Sequence, residues 1–321
     1  MCNLAIIGCG NIAKFHVPAM KAAGFNISAI SGRSGTVDYL NSFAKQFDLQ
    51  DAIVFNDTND LLASDNWDAL LISCPTNLML TYLRTAVRKN KPILTEKPVS
   101  HNYLELREFL EYKNIHVAYN RRFYQTVRFA KEFLLNHEIS LVKVTIPEKS
   151  DDIFNSQFFP ERLPINSYEN SVHVFDLLRY LLGDIFWTHS ESIASNNNYK
   201  ALVGFGKSKR GNNIILDSCF NSSDNFSIQM LCGSKRLMLK PLETAKLFDG
   251  MDVQQPSIEI PIRRYSPVLQ HQIIETDINN MKLGFALQAK DFRGFCNGKK
   301  SVAATIYDSY KALELIENLK R

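Results

Sequence analysis

The sequence lacks long apolar runs, paired cysteines and a large excess of charge of either sign, and each absence excludes a class of protein. No window approaches the roughly 18–20 uninterrupted apolar residues that cross a bilayer. The apolar run at residues 4–7 is interrupted by Gly8, so we expect no signal peptide and a cytoplasmic location. Lys and Arg number 37 against 33 Asp and Glu, and a net charge of +4 does not favour nucleic-acid binding.

The cysteines form no C-x-x-C pair and no cluster with histidine, which argues against structural zinc and against a disulfide framework. Cys9 and Cys74 lie in or beside apolar runs, where free cysteine behaves as a small hydrophobic residue. We therefore predict unpaired, buried thiols and no metal site. The six cysteines are Cys2, Cys9, Cys74, Cys219, Cys232 and Cys296.

The composition is that of a globular protein, with 45% hydrophobic and 22% charged residues among 321. The first 120 residues alternate short apolar runs with helical patterns, which predicts an α/β fold with a doubly wound parallel sheet. The run 69–72 is apolar throughout, as expected for a strand buried on both faces. Strands are predicted at 3–7, 26–31, 52–55, 69–73, 92–94 and 116–118, and helices at 11–23, 37–47, 58–63, 80–89 and 103–112.

After residue 120 a different pattern begins, in which turn-forming clusters separate β-branched and aromatic runs and favour antiparallel strands. We expect a Rossmann dinucleotide-binding domain at 1–120 and a substrate-binding α/β domain with a large, mostly antiparallel sheet at 121–321. Strands are predicted at 141–146, 200–205, 213–220, 226–232, 235–240 and 257–260. Helices are predicted at 123–136, 172–182 (closed by Gly183), 280–296 and 302–319.

A G-x-G-x-x-A motif at residues 8–13 follows the first predicted strand and opens a helix. Gly8 permits a tight turn, Gly10 lets the backbone approach a pyrophosphate, and Ala13 allows close helix–strand packing. The amides of Asn11 and Ile12 at the helix start would face the phosphates. The motif alone fits any glycine-rich turn, but its position at the start of a βα series predicts dinucleotide binding.

The end of the second predicted strand indicates which dinucleotide is bound. It reads Ser31-Gly32-Arg33-Ser34, without the acidic residue that usually binds the adenine ribose of NAD. An arginine among small residues suits a 2′-phosphate, because guanidinium pairs with it bidentately. NADP is therefore preferred to NAD, and an ordinary solvated arginine is the competing interpretation.

Glu96-Lys97-Pro98 follows the predicted strand 92–94. Ligands of open parallel sheets bind beyond the carboxyl ends of the strands, so Lys97 is expected near the reactive end of the cofactor. The proline restricts the backbone of Lys97 to an extended conformation. The lysine could then hydrogen-bond a substrate oxygen and stabilise negative charge. Taken alone, the segment is more often a surface turn.

The order of these motifs along the chain resembles that of the glucose–fructose oxidoreductase / inositol dehydrogenase (Gfo/Idh/MocA) family. The resemblance rests on the fingerprint, Cys74-Pro75-Thr76-Asn77, Glu96-Lys97-Pro98 and 119–123, and it reappears at 169–184 and 285–319. It implies an NAD(P)-dependent oxidoreductase of a sugar or nucleotide-linked sugar, often assembled through its antiparallel sheet into a dimer or tetramer. The residues of the two middle motifs, from Cys74 to Asn77 and from Glu96 to Pro98, would bind the cofactor.

The family pattern in the second domain is an acid, a histidine four residues later and a second acid after three more. Glu169, His173 and Asp176 match it and would share one helix face. His173 would pass a proton to or from the substrate, although a packed core histidine is the competing interpretation. The remaining histidines, His16, His101, His116, His137, His189 and His271, show no comparable constellation.

Further polar residues extend the expected substrate site. Tyr168 and Asn170 would bind hydroxyl groups. Asn120 and Arg122, with the neighbouring Arg121, would contact substrate or phosphate, and salt bridges at the domain junction are an equally good explanation of the two arginines.

Three departures from the family leave the substrate open: Glu169 replaces an aspartate, the glycines that commonly precede that acid are absent at 164–168, and Met79 stands where a histidine is common. We favour a biosynthetic, nucleotide-linked sugar over a free sugar or inositol of catabolism. Two further functions fit the same motifs: an NAD(P)-binding sensor without turnover, and an enzyme that recycles a tightly bound cofactor between two sugars.

Overall fold

The computed structural model describes residues 2–33, 35–148, 170–195 and 198–319 of the chain. The chain forms two compact units. The first unit consists of Met1–Phe123 with Thr276–Glu314, and the second of Tyr124–Glu275 with Leu315–Arg321. None of the helices in the described ranges has the length and hydropathy of a membrane-spanning segment.

The first unit is built on a seven-stranded sheet. Its strands are β1 (Cys2–Ile7), β2 (Phe25–Ser31), β3 (Ile53–Phe55), β4 (Ala69–Ile72), β5 (Ile93–Thr95), β6 (Ile115–Val117) and β15 (Ala304–Thr305). They lie in the order β15-β6-β5-β4-β1-β2-β3; β1 to β6 are parallel, and β15 pairs antiparallel with β6. The strand order reverses between β1 and β4, which is the switch point where open α/β sheets bind ligands.

Apolar side chains cover both faces of this sheet. Residues 4–7 of β1 and 69–72 of β4 are at most 1% exposed, which confirms that the continuous apolar run marks a doubly covered strand. Helix α7 (Phe285–Cys296) belongs to this unit, and the ring of its Phe292 stacks on Phe25 at 5.7 Å between centroids. The connecting helices are α1 (Ala13–Ala22), α2 (Val37–Gln46), α3 (Thr58–Ala63) and α4 (Thr76–Ala86).

The ends of several predicted helices differ from expectation. The segment expected as a helix at 103–112 is a 3₁₀ helix, Tyr103–Phe109. The helix expected from residue 280 begins only at Phe285, because Asn279, Asn280 and Gly284 have positive φ angles of 55°, 58° and 81° that interrupt a right-handed helix. α8 (Ile306–Leu319) starts later than residue 302, because β15 occupies residues 304–305.

The second unit contains an eight-stranded sheet, and the prediction of a mostly antiparallel sheet is confirmed. Its order is β14-β13-β12-β11-β7-β10-β9-β8, and the pair β7–β10 is parallel whereas the other neighbours are antiparallel. Its helices are α5 (Gln125–Asn136) and α6 (Val172–Leu182). The strands are β7 (Leu141–Thr145), β8 (Ile185–Ser195), β9 (Asn198–Ser208), β10 (Asn213–Cys219), β11 (Ser227–Cys232), β12 (Lys235–Leu239), β13 (Thr244–Gln254) and β14 (Arg264–Ile274).

One predicted strand of this unit is wrong, and three strands were missed. Residues 257–260 form a turn in which the Ser257 amide donates to the Ile260 carbonyl at 2.8 Å, between prolines 256 and 261 that cannot donate to a ladder. The missed strands are β8, β13 and β14. Their exposed positions carry both apolar and polar side chains, so the alternation that marks a half-buried strand is absent.

The division of the chain also differs from the expected blocks 1–120 and 121–321. The first boundary falls at Phe123, but Thr276–Glu314 returns to the first unit. The reason is packing: α7 covers β2 and α1, and β15 extends the parallel sheet at β6. The α/β fold class, with a parallel N-terminal sheet and a mostly antiparallel second sheet, is confirmed.

Candidate active site

The turn after β1, residues 8–12, is fixed by the ends of the two neighbouring strands. The Gly8 amide donates to the Ser31 carbonyl at 2.8 Å, and the Ser73 hydroxyl donates to the Gly8 carbonyl at 2.7 Å. Gly8 has φ of +90°, and a Cβ there would lie 2.6 Å from the Cys74 nitrogen. Only glycine fits this position, so the sequence motif marks a real close approach of two turns.

The next residues of the turn present open backbone groups. A Cβ on Gly10 would meet nothing within 4 Å in the described chain. Among the described residues, the amides of Gly10, Asn11 and Ile12 donate to no backbone or side-chain acceptor. α1 begins directly afterwards at the buried Ala13. Free amides at a helix start attract anions, so this turn has the form of a phosphate-binding loop.

The end of β2 carries an exposed arginine. Ser31 is buried, and its hydroxyl lies 3.1 Å from the Thr58 hydroxyl. A Cβ on Gly32 would lie 3.2 Å from the Leu40 side chain, so Gly32 keeps this corner compact. The Arg33 carbonyl accepts the Thr36 amide at 3.2 Å, which closes a tight turn and leaves the Arg33 side chain exposed. Ser34 lies outside the described residues.

The turn after β4 alternates buried and exposed residues. Cys74 and Thr76 are buried, whereas Pro75 and Asn77 are exposed where α4 begins. Met79, the position where the family often has a histidine, is also buried, and the Thr95 hydroxyl lies 3.6 Å from its sulfur. Pro75 and Asn77 therefore form an exposed rim over the buried residues Cys74, Thr76 and Met79.

A buried acid fixes the turn after β5. The Glu96 amide donates to the Ile72 carbonyl at 2.8 Å, which places this turn beside the end of β4. One Glu96 oxygen lies 2.7 Å from His16 Nε2, and the other accepts the Lys97 amide at 3.1 Å. The second bond fixes the backbone of Lys97, whose side chain is half-buried.

Electrostatics favour the charged form of Glu96. Burial raises its pKa, but the hydrogen bond and charge of His16, with the charge and amide of Lys97, outweigh that effect, so the pKa lies below its ordinary value. Sequence reasoning missed His16, which stood among the histidines without a constellation. The available signal was its position in the first turn of α1, directly after the phosphate-binding loop.

Asn120 and Arg122 both contact the segment 276–314. The Asn120 side-chain amide donates to the Leu283 carbonyl at 2.9 Å. The buried Arg122 guanidinium lies 3.5 Å from an Asp308 oxygen and 3.4 Å from the Val302 carbonyl. These bonds anchor the returning segment within the first unit. The contact with Asp308 is of the kind that the salt-bridge explanation of Arg122 predicts, and substrate binding by Asn120 and Arg122 stays a prediction.

The second unit contains His173 and Asp176 on α6, three residues apart and both buried. The start of this helix is fixed by Glu148, whose buried carboxylate accepts the amides of Asn170 and Ser171 at 2.7 Å each. A carboxylate at a helix N-terminus is favourable because it faces unpaired amides and the positive end of the dipole. Glu148 thereby fixes the N-terminal end of the helix that carries His173. Tyr168 and Glu169 lie outside the described residues.

The two cysteines near the phosphate-binding loop, Cys9 and Cys74, are buried thiols with raised pKa values. All six are free, as predicted, but Cys219 is exposed, and Cys232 and Cys296 are only partly buried. Burial raises the pKa of Cys9 and of Cys74 to about 12, the latter against a smaller opposing effect of its own backbone. Neither forms a thiolate near neutral pH, so thiol nucleophile chemistry is not supported beside the phosphate-binding loop.

Comparison with known proteins agrees with this geometry. Residues 2–118 match the family model GFO_IDH_MocA, described as an oxidoreductase family with an NAD-binding Rossmann fold. Residues 2–118 thus match an NAD-binding Rossmann fold in sequence, as they do in strand order. More particularly, this match over residues 2–118 agrees with the similarity to the Gfo/Idh/MocA family that the ordered motifs predicted.

Two curated proteins illustrate the relationship. The oxidoreductase YrbE of Bacillus subtilis is 30% identical over 191 residues, covering 56% of this chain and 53% of YrbE. An inositol 2-dehydrogenase of an Arthrobacter species is 25% identical over 190 residues, covering 57% and 54%. The chain spans about half the length of the curated relatives it matches.

Solved structures share the fold over nearly the whole chain. An oxidoreductase from Thermotoga maritima has a TM-score of 0.78 at 20% identity, covering 100% of this chain and 96% of that one. A levoglucosan dehydrogenase in complex with NADH and levoglucosan has a TM-score of 0.78 at 15% identity, covering 99% and 96%. UDP-N-acetylglucosamine 3-dehydrogenase from Acidithiobacillus ferrooxidans scores 0.73 at 13% identity, covering 99% and 96%. At these identities the likeness shows the fold alone.

Proposed function

We propose that the protein is an NAD(P)-dependent oxidoreductase that moves hydride between a nicotinamide and the hydroxyl or carbonyl carbon of a sugar or nucleotide-linked sugar. The observation that carries the proposal is the convergence of three turns at one end of the parallel sheet. The Gly8 turn packs on residues 73–74, and Glu96 joins the end of β4 to Lys97 and to His16.

The residues at this end of the sheet fit a dinucleotide. The open amides of Gly10, Asn11 and Ile12 suit a pyrophosphate, and the exposed rim of Pro75 and Asn77 lies next to them along the sheet. The bound nicotinamide would supply the hydride donor or acceptor. With Thr76, Glu96 and Pro98, these residues are the proposed cofactor-binding set.

Lys97 is proposed to hydrogen-bond the reacting oxygen of the substrate and to stabilise the negative charge that develops there. Its amide is held by Glu96, so the side chain leaves the sheet end in a defined direction. His173 is proposed to accept the hydroxyl proton in the oxidation direction and to return it in reduction. Glu148 holds the start of its helix, and Asp176 lies one turn further along α6.

The substrate class is the finer part of the proposal. Relatives are named for inositol, and fold neighbours are named for levoglucosan and UDP-N-acetylglucosamine. We propose a nucleotide-linked sugar, with Tyr168, Glu169 and Asn170 as its hydroxyl-binding residues.

A homo-oligomer is proposed from the large exposed apolar side chains of β8 and β9, which are Phe186, Ile193, Val203 and Phe205.

Absorbance at the reduced nicotinamide band tests the function. Purified protein is mixed with NADPH or NADH and a panel of free sugars, inositols and nucleotide-linked sugars in oxidised or reduced form. The proposal expects an absorbance change with members of one sugar class. Cofactor binding without any change across the panel would instead support a sensor without turnover.

NADP preference is proposed from Arg33, because β2 ends without an acid and the Arg33 side chain is exposed. Arg33→Ala should weaken NADPH binding by about 10–100-fold, since it removes charge-assisted hydrogen bonds worth ~1.5–3 kcal/mol. NADH binding should change little, because NADH lacks the 2′-phosphate. Fluorescence titration of both cofactors measures this, with the exposed Arg88→Ala as control. Equal weakening of both cofactors would contradict the phosphate pairing.

Substitution of the two glycines of the motif should have different effects, one on stability and the other on cofactor affinity. Gly8→Ala places a methyl 2.6 Å from the Cys74 nitrogen at a positive φ, and should destabilise the fold by about 1–3 kcal/mol. Gly10→Ala meets open space, so its melting temperature should match the wild type while NADPH affinity falls by about tenfold or more. Thermal unfolding and cofactor titration of both variants provide the comparison. A stable Gly10→Ala protein with full cofactor affinity would exclude this loop as the phosphate site.

A further inference from the structure

Lys282 lies in the loop before α7, over a ring of the first turn of α1, and it belongs to none of the motifs. The residue is exposed, and its Nζ lies 4.7 Å from the ring centroid of Phe15 and 5.2 Å from that of Phe285. Phe15 stands in the first turn of α1, directly after the phosphate-binding loop. Contacts of an ammonium with two ring faces hold it over that turn.

The charges that act on Lys282 come from three segments of the first unit. Partial burial against the rings lowers its pKa; Glu96 opposes this effect, and the positive charges of Lys97 and Arg121 add to it. Glu96 is already hydrogen-bonded to His16 and to the Lys97 amide. Phe285 also packs on His16, with ring centroids 4.7 Å apart, so Lys282 is linked through this ring to the residue that is bonded to Glu96.

Within the described ranges, the Lys282 ammonium makes no ion pair and no hydrogen bond with a side chain or carbonyl. A surface lysine that pairs with nothing normally extends into water. Lys282 is instead held over two aromatic rings beside other cations. A ligand that brings negative charge would relieve the repulsion among them and receive a direct hydrogen bond.

We propose that Lys282 is an anion-binding residue of this site, and that it takes a phosphate or carboxylate group of a ligand bound near Lys97. The inference rests on the proposed function for the identity of that ligand. Two sources share the chemistry: the pyrophosphate of the cofactor, and an acidic group of the substrate such as a nucleotide diphosphate or a sugar carboxylate.

Binding of inorganic pyrophosphate to the unliganded full-length protein tests the anion site directly. Calorimetry at low ionic strength compares the wild type with Lys282→Gln, which removes the charge, and Lys282→Arg, which retains it. The control is Lys290→Gln, an exposed lysine of α7. Affinity should fall by about tenfold in Lys282→Gln, the effect of losing a hydrogen bond to a charged group, and should persist in the other two variants.

Titration with NADPH, NADH and ADP-ribose identifies the source. Weakening of all three in Lys282→Gln assigns the cofactor pyrophosphate. Unchanged cofactor affinity with a raised KM for an acidic sugar, but not for a neutral one, assigns the substrate. If Lys282→Gln binds pyrophosphate as the wild type does, the inference is overturned. Sugar turnover by the wild type is measured separately and tests the proposed function. The two results are therefore distinguishable, because either measurement can fail while the other succeeds.

Discussion

Lys97→Ala should reduce kcat by about 10²–10³-fold, the loss seen when one donor to a developing oxyanion is removed. The reason is positional: the Lys97 amide is bonded to the buried Glu96, so the ammonium departs from a fixed point at the end of β5. Cofactor affinity should stay nearly unchanged, because the phosphate-binding loop is a separate turn. Steady-state turnover of the best substrate and fluorescence titration of NADPH measure the two quantities.

A matched variant separates this effect from a general loss of positive charge. Lys290→Ala also removes one lysine of the first unit, from the exposed face of α7, and should turn over substrate at the wild-type rate. Turnover in Lys97→Ala that equals that of Lys290→Ala would remove Lys97 from the mechanism.

His173→Asn should lower kcat by about 10²–10⁴-fold, the range for loss of a general acid or base. Asparagine retains a polar side chain of similar size but cannot exchange a proton near neutral pH. Because His173 is buried, thermal unfolding of the variant must show that α6 is still folded.

The control for this variant is His189→Asn, an exposed histidine of β8 that lies 3.2 Å from Glu191. It should keep the rate of the wild type. A His173→Asn enzyme that is folded and fully active would mean that another group carries the proton.

The features that could be predicted from sequence are those determined by short stretches of chain. The uninterrupted apolar run of β4 required burial on both faces, and the glycines of residues 8–13 required a turn that no other residue fits. The end of α6 at Gly183 is also determined by nearby residues. The Gly183 amide donates to the Arg179 carbonyl at 2.8 Å. Periodicity and backbone sterics are sufficient for such elements.

The features that were missed depend on contacts between distant parts of the chain. His16 and Glu96 are separated by 80 residues, and neither has a local pattern that names the other. Glu148 follows β7 and accepts hydrogen bonds from the amides of Asn170 and Ser171, which lie 22 and 23 residues further along the chain. The return of Thr276–Glu314 to the first unit also depends on a contact between distant residues, because Phe292 of this segment stacks on Phe25.

The most direct test of the account is the kcat of the double variant Lys97→Ala/His173→Asn beside its two single variants. If both residues serve the same chemical step, their effects are strongly non-additive, and the double variant should be about as slow as the slower single variant. If instead the two losses multiply, the residues act independently. The proposal that they share one reaction step would then be contradicted.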